Sequence, residues 1–227
     1  MRRNARATPA VESPQSPKPK AQSPGLRHHH AVQFYGDEHT LFTTVARFLS
    51  EGLIERQPAI VIATAPHRAA IVDHLCGHLI DCERALRGGQ LVLLDAEETL
   101  DLFMVDDNPD PKLFAQTMSP VIEGMLADKT RTVVRAYGEM VDVLWKQGRP
   151  DAAIKLEILW NKLAMQYRFA LLCGYAMGAF YKQSKQMADI CEHHSHVVKP
   201  GSHVVPFTRT RGSAKVPHAS SPHSSSR

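Results

Sequence analysis

Between residues 31 and 175, short runs of apolar and β-branched residues alternate with stretches in which apolar side chains recur every three or four positions. The segment 132–145, TVVRAYGEMVDVLW, shows the unit most plainly. Its first six residues, apolar or β-branched apart from one Arg, suit a strand buried on most sides. Gly138 and Glu139 interrupt it, and Met140, Val141, Leu144 and Trp145 then return at helical spacing. A buried strand that ends in Gly and a carboxylate and turns straight into a helix presents a polar group at the carboxyl edge of an open α/β sheet. Two other runs end the same way: Ala59–Ala63 before Thr64-Ala65-Pro66-His67-Arg68, and 91–94 before Asp95-Ala96-Glu97-Glu98-Thr99. Three strands are thus expected to deliver three polar clusters to one edge, the candidate site.

The remaining elements follow the same alternation. Residues 31–35 read as a short strand, and Asp37 or Thr40 as the cap of a helix with Leu41, Val45, Phe48, Leu49 and Leu53 on its apolar face. Pro66 suits the first turn of a helix carrying Ile71, Val72, Leu75 and Leu79, and Gly88-Gly89 marks the turn into the next strand. A short helix is expected through 100–104, ending in a polar segment over 106–110. Asp110-Pro111 opens a helix with Phe114, Met118, Val121, Ile122 and Met125, in which Pro120 is expected to make a kink. Asp151 is expected to cap a helix through Ile154, Leu156, Leu159 and Leu163, and 169–173 to form a last strand leading to Tyr175. Strands alternating with helices predict an α/β fold with a mostly parallel sheet and helices on both faces. No internal repeat is visible.

Charge separates the chain into three parts. Residues 1–30 carry six Lys/Arg against one Glu and 200–227 carry four against none, leaving 17 basic and 22 acidic residues in 31–199. The basic balance therefore belongs to Pro/Ser-rich tails, expected to be disordered over 1–29 and 200–227, and the domain between them, 30–199, is acidic. Nucleic-acid recognition needs a basic face on the domain itself, so such binding is expected only weakly, through the tails. The longest apolar stretch, 169–180, is shorter than the about 20 residues that cross a bilayer, and Arg2-Arg3 leads into no apolar run; neither a membrane span nor a signal peptide is expected. Cys76, Cys82, Cys173 and Cys191 have neither zinc-finger nor CxxC spacing and read as reduced thiols of a cytoplasmic protein.

Candidate chemistry gathers at the strand ends. A phosphate loop wraps phosphate oxygens with Gly-rich backbone and adds a Lys-Ser/Thr pair; ATAPHRAA has neither, so the chain lacks a functional P-loop. His67 and Arg68 can still meet an anion at the helix N-terminus, or stand as exposed first-turn residues. Glu97 and Glu98 suit a general base or a cation contact, and equally a helix dipole, as does Glu139. Cys173 and Tyr175 end the last strand, with Cys173 read as buried and inert. Of the histidines, His28-His29-His30 and His193-His194-Ser195-His196 form runs, but HExxH spacing is absent. They read as adventitious metal binders, and no metal ligands are assigned.

The blocks HAVQFYGDEHTLFTTVARFLSEGL, AIVIATAPHRAAI, LVLLDAEETLDLFMVDDNPDPKLF, VVRAYGEMVDVLW, KLEILWNKL and CEHHSHV, in this order, resemble the MEDS family of methanogen/methylotroph sensory domains. The resemblance spans roughly residues 30 to 198. It implies a degenerate relative of the KaiC/RecA-like ATPases in which ATAPHR stands in the place of the phosphate loop, Glu97-Glu98 resemble the paired glutamates after the second strand, and the AYGE strand takes the place of the magnesium-site strand. It further implies a sensor of small molecules, often joined to a kinase, anti-sigma or DNA-binding output module, whereas this sequence reads as a sensory domain standing alone. The expectation is a non-catalytic cytoplasmic domain that binds a small organic molecule or nucleotide-like ligand and acts through a regulatory protein partner. Thr64, His67 and Arg68 would supply anion or polar contacts, and Glu97, Glu98 and Glu139 would accept hydrogen bonds. His30, Gln33 and Tyr35, with Tyr175, His194 and His196, would close the pocket. The rival expectation is a nucleotide-binding or weakly ATP-hydrolysing RecA-like protein.

Overall fold

Successive strand residues pack against opposite layers, which assigns one set of side chains to each face of a single sheet. The computed structural model describes residues 29–77, 80–127, 133–180 and 184–199. Its main sheet has six strands, all parallel, in the order β3-β2-β6-β7-β1-β8. They are β1 (His29–Tyr35), β2 (Ala59–Ala63), β3 (Leu91–Asp95), β6 (Val134–Gly138), β7 (Phe169–Ala176) and β8 (His196–Val197). A separate two-stranded hairpin joins β4 (Met104–Val105) to β5 (Asn108–Pro109).

Ala31, Tyr35, Ala59, Val61, Ala63, Tyr137, Ala170 and Leu172 pack with the helices α1 (Glu38–Ile54), α2 (Ala65–Cys76) and α3 (Cys82–Arg87). The alternate positions Val32, Ile60, Ile62, Val134, Ala136, Leu171 and Cys173 pack with α4 (Ala96–Asp101), α5 (Pro111–Leu126), α6 (Met140–Lys146), α7 (Pro150–Ala164) and α8 (Ser184–Glu192). Burial on both faces is why these strands read as continuous apolar runs rather than alternating ones. Trp160 anchors the second layer, with edge-on contacts to Phe114 and Phe169, and its full burial contributes about 1.5–3 kcal/mol, as for other large apolar side chains.

The layout is the one the sequence predicts, with local corrections. Asp37, not Thr40, caps α1 by accepting from the N–H groups of His39 and Thr40. The helix expected at 100–104 begins at Ala96, because Asp95 at the end of β3 accepts from the N–H groups of Glu97 and Glu98 and nucleates it there. Its residue Met104 lies instead in β4, where Asp106 and Asp107 at φ 46° and 64° turn the chain into β5. Arg149 rather than Asp151 occupies the N-cap of α7, since Pro150 is suited to the first helical position. Helix α5 continues through Pro120. Cys76 and Cys82 form a disulfide, correcting the reading of four reduced thiols. The end of α2 and the start of α3 bring their Cα atoms to 5.7 Å, within bridging reach, a closeness that six-residue spacing cannot reveal. The tails, apart from His29, lie outside the described residues, as does Leu79.

Candidate functional site

Strands β2 and β6 are neighbours, yet the helices that follow them leave to opposite faces of the sheet: α2 joins the α1 layer and α6 the α7 layer. Such a divergence opens a crevice outside the carboxyl ends of the two strands. Glu139, the residue between β6 and α6, stands there and is buried. Its Oε1 accepts from the N–H of Thr64 at 2.6 Å, and its Oε2 lies 2.6 Å from His67 Nδ1 and accepts from the Tyr137 hydroxyl at 3.1 Å. The Thr64 side chain makes no cap of α2, so the Glu139 carboxylate does that work from another strand. Phosphate-binding folds leave this helix N-terminus open for an anion; here a carboxylate of the chain itself takes up its N–H.

The electrostatics follow from this contact. The Glu139 hydrogen bond raises the pKa of His67 above its ordinary value against the effect of burial. Burial works to raise the Glu139 carboxyl, but His67 and the Thr64 N–H outweigh it and hold it below the usual carboxylate range. Burial beside this carboxylate pushes the Tyr137 hydroxyl well up, so it remains a donor. Gly174 makes room for it: a Cβ there would stand 2.7 Å from the Tyr137 hydroxyl oxygen. On its outer side, His67 Nε2 lies 3.4 Å from the exposed Glu38.

The network extends both ways along the edge. Toward β3, Arg68 donates to the Ala63 carbonyl at 3.1 Å and pairs with Asp95 at 2.5 Å. Toward β1, the Tyr35 hydroxyl donates to Asp142 Oδ2 at 3.2 Å, while Asp142 Oδ1 accepts from the Ala176 N–H at 2.9 Å and Oδ2 pairs with Lys146 at 2.8 Å. Thr64, His67, Arg68, Glu139 and Tyr35 therefore share one rim. Glu97 and Glu98 sit exposed in the first turn of α4, with Asp95 as the carboxylate that reaches Arg68.

His30, Tyr175 and His194 gather elsewhere, beneath α7. Glu157 of that helix is fully buried, accepts from the Tyr175 hydroxyl at 2.8 Å, and lies 3.1 Å from His30 Nε2 and 3.4 Å from His194 Nε2. Cys173 Sγ is 3.2 Å from His30 Nε2 and 3.7 Å from Glu157 Oε2. Burial opposes ionisation of Glu157, but His194, His30 and the Tyr175 hydroxyl hold its pKa down at about 2. Burial lowers His194 to about 4. Gln33 faces the other layer, donating to Thr44 at 3.4 Å, and His196 meets the His29 ring edge-on at 4.1 Å.

Two functional-looking residues escape the sequence reading, Asp142 and Glu157. The signal for each is an acidic residue inside an otherwise apolar helical run, MVDVLW and ILW preceded by KLE. Such a carboxylate is buried only if something in the fold partners it.

The family model described as MEthanogen/methylotroph, DcmR Sensory domain matches residues 29–195, the span that contains both clusters. No curated protein matches the chain. The family's description implies a sensory role.

Proposed function

The chain belongs to the MEDS family of sensory domains, and on that premise we propose that it is a non-catalytic sensor of a small organic molecule or nucleotide-like ligand, reporting to a separate regulatory protein. The observation that carries this reading is the Glu139 carboxylate on the α2 N-terminus, 2.6 Å from both the Thr64 N–H nitrogen and His67. An ATPase-like mechanism needs the N–H groups at this helix start open to phosphate, whereas here the Thr64 N–H donates to a carboxylate that would repel one. The same contact supplies a two-state element. In one state Glu139 caps α2; in the other a ligand takes its place and leaves the carboxylate to move with α6. A ligand that prefers the second state shifts the population by its difference in affinity for the two. Thr64, His67, Arg68 and Tyr35 would contact the ligand, with Glu97 and Glu98 at the outer lip of the rim. A kinase, anti-sigma factor or transcription factor in the cytoplasm would read the change. No helix among the described residues is long and apolar enough to cross a membrane.

A thermal-shift screen of nucleotides and of small halogenated or one-carbon compounds tests the proposal. A binder raises the melting temperature in proportion to RT ln(1 + [L]/Kd). The shift is expected to shrink in His67→Gln and Arg68→Ala. A screen without binders, or a binder whose shift is indifferent to both substitutions, would overturn the assignment of this rim. Magnesium-dependent phosphate release that disappears in Glu97→Gln/Glu98→Gln would establish the hydrolase reading instead.

A further inference from the structure

Beneath α7 four side chains of different chemistry aim their donor atoms at one point. His30 Nε2, His194 Nε2, Cys173 Sγ and a Glu157 oxygen all lie within 4.8 Å of one another, and all four residues are buried. The hydrogen bonds around them fix where the protons are. Asn161 Nδ2 donates to the His193 carbonyl at 2.9 Å, which turns Asn161 Oδ1 toward His30 Nδ1 at 3.0 Å and requires the proton on that nitrogen. His194 Nδ1 lies 2.7 Å from the Ile190 carbonyl, which can only accept, so it too carries a proton. With Nδ1 of each ring engaged on its far side, both rings turn Nε2 toward the centre, where an imidazole can offer a lone pair. His194 Nε2 has no hydrogen-bond partner there although it is buried.

The Tyr175 hydroxyl donates to Glu157 Oε1, and Glu157 Oε2, the two Nε2 atoms and the Cys173 thiol converge on one another; among the described residues His194 Nε2 finds no donor there. Buried lone pairs that face each other unpaired are costly, and a cation removes the cost.

We propose that His30, His194, Cys173 and Glu157 form a binding site for one divalent transition-metal ion, with zinc the best match to the donor set. Mixed nitrogen, sulfur and carboxylate donors favour zinc over calcium or magnesium. Tetrahedral donors with bonds of about 2.0–2.3 Å stand about 3.3–3.7 Å apart. The separations of 3.1 Å (His30 to Glu157 Oε2), 3.2 Å (His30 to Cys173) and 3.7 Å (Cys173 to Glu157 Oε2) fall on or beside that range, His194 Nε2 lies 3.4 Å from the other oxygen, Glu157 Oε1, and all four donors stay within 4.8 Å, so a small inward shift closes the shell. Binding releases the Cys173 proton, and the thiolate and carboxylate then neutralise the ion, so no net charge is left in the core. Asn161 and the Ile190 carbonyl hold the two rings by their far nitrogens, as outer-shell partners of metal-bound histidines do. Four protein ligands close the coordination, which marks a structural ion. It would tie His194, just after α8, to β1, β7 and α7, and so dock the segment that continues into β8.

The test uses the untagged full-length chain. After exhaustive dialysis against metal-free buffer, elemental analysis is expected to find one zinc per chain. After stripping with a chelator, one equivalent of Co2+ is expected to give intense tetrahedral visible bands and a thiolate charge-transfer band in the near ultraviolet. Cys173→Ser removes the charge-transfer band, and Asn161→Ala weakens affinity about 10–100-fold. Cys191→Ser and His29→Ala/His196→Ala leave spectrum and stoichiometry unchanged. X-ray absorption of the wild-type zinc form needs no variant and should show one sulfur at about 2.3 Å among nitrogen and oxygen neighbours. Absence of a stoichiometric ion, a zinc shell without sulfur, a charge-transfer band that survives Cys173→Ser, or loss of binding in the His29/His196 variant would each overturn the proposal.

Discussion

At the scale of single residues, His67 and Glu139 give the domain a defined pH response. A carboxyl whose folded pKa is lowered stabilises above its ordinary value, 4.5 for Glu139, and loses that contribution as pH falls through the lower folded value. An imidazole whose folded pKa is raised stabilises fully below its ordinary 6.5 and loses that contribution as pH rises through the higher folded value. The pair is therefore expected to contribute most between those two ordinary values. Urea denaturation across pH checks this: wild-type stability should exceed that of His67→Gln most in that window, and the gap should close on the alkaline side. A gap constant with pH would mean that the contact is packing alone. The sequence placed His67 and Glu139 at strand ends, but nothing in it announces the partnership of two residues 72 positions apart.

At the scale of elements, the most legible joins were those where one residue does two jobs in a short span. Asp95 ends β3, caps α4 through its Oδ1 and pairs with Arg68 of α2 through Oδ2. Asp95→Ala is expected to cost about 1–2 kcal/mol, most of it the cap. Asp95→Asn should retain the cap and lose chiefly the ion pair. Equilibrium denaturation of the two variants separates the contributions, and equal losses would show that the cap contributes nothing. Helix α3, six residues long, and the two-residue strand β8 gave no periodicity to read. Strand β8 exists because β1 offers it a backbone edge: Ser195 N–H donates to the His30 carbonyl at 2.6 Å and Val198 N–H to the Val32 carbonyl at 2.7 Å. The β4–β5 turn did leave a signal, Asp106-Asp107, residues that tolerate positive φ better than most.

At the scale of the whole molecule, charge is divided between an acidic domain and basic ends, with 17 basic against 22 acidic residues in 31–199. Retention of the full chain on a polyanionic resin should fall steeply with salt, and removal of 1–28 and 200–227 should abolish it. Retention that survives the trimming would place a basic surface on the domain. The single sheet with a helix layer on each face, its parallel strands and the polar cluster at the start of α2 were all legible in the order of apolar and polar residues, because buried strands and amphipathic helices each impose their own spacing. The sequence alone also marked His30, Cys173 and His194 as residues of interest, but in separate roles. Only the tertiary structure decided that they meet around Glu157, and that Glu139 rather than an outside anion caps α2. Both outcomes depend on strands distant in the chain becoming neighbours in the sheet. Local pattern determines which face a side chain takes; strand order determines what it finds there.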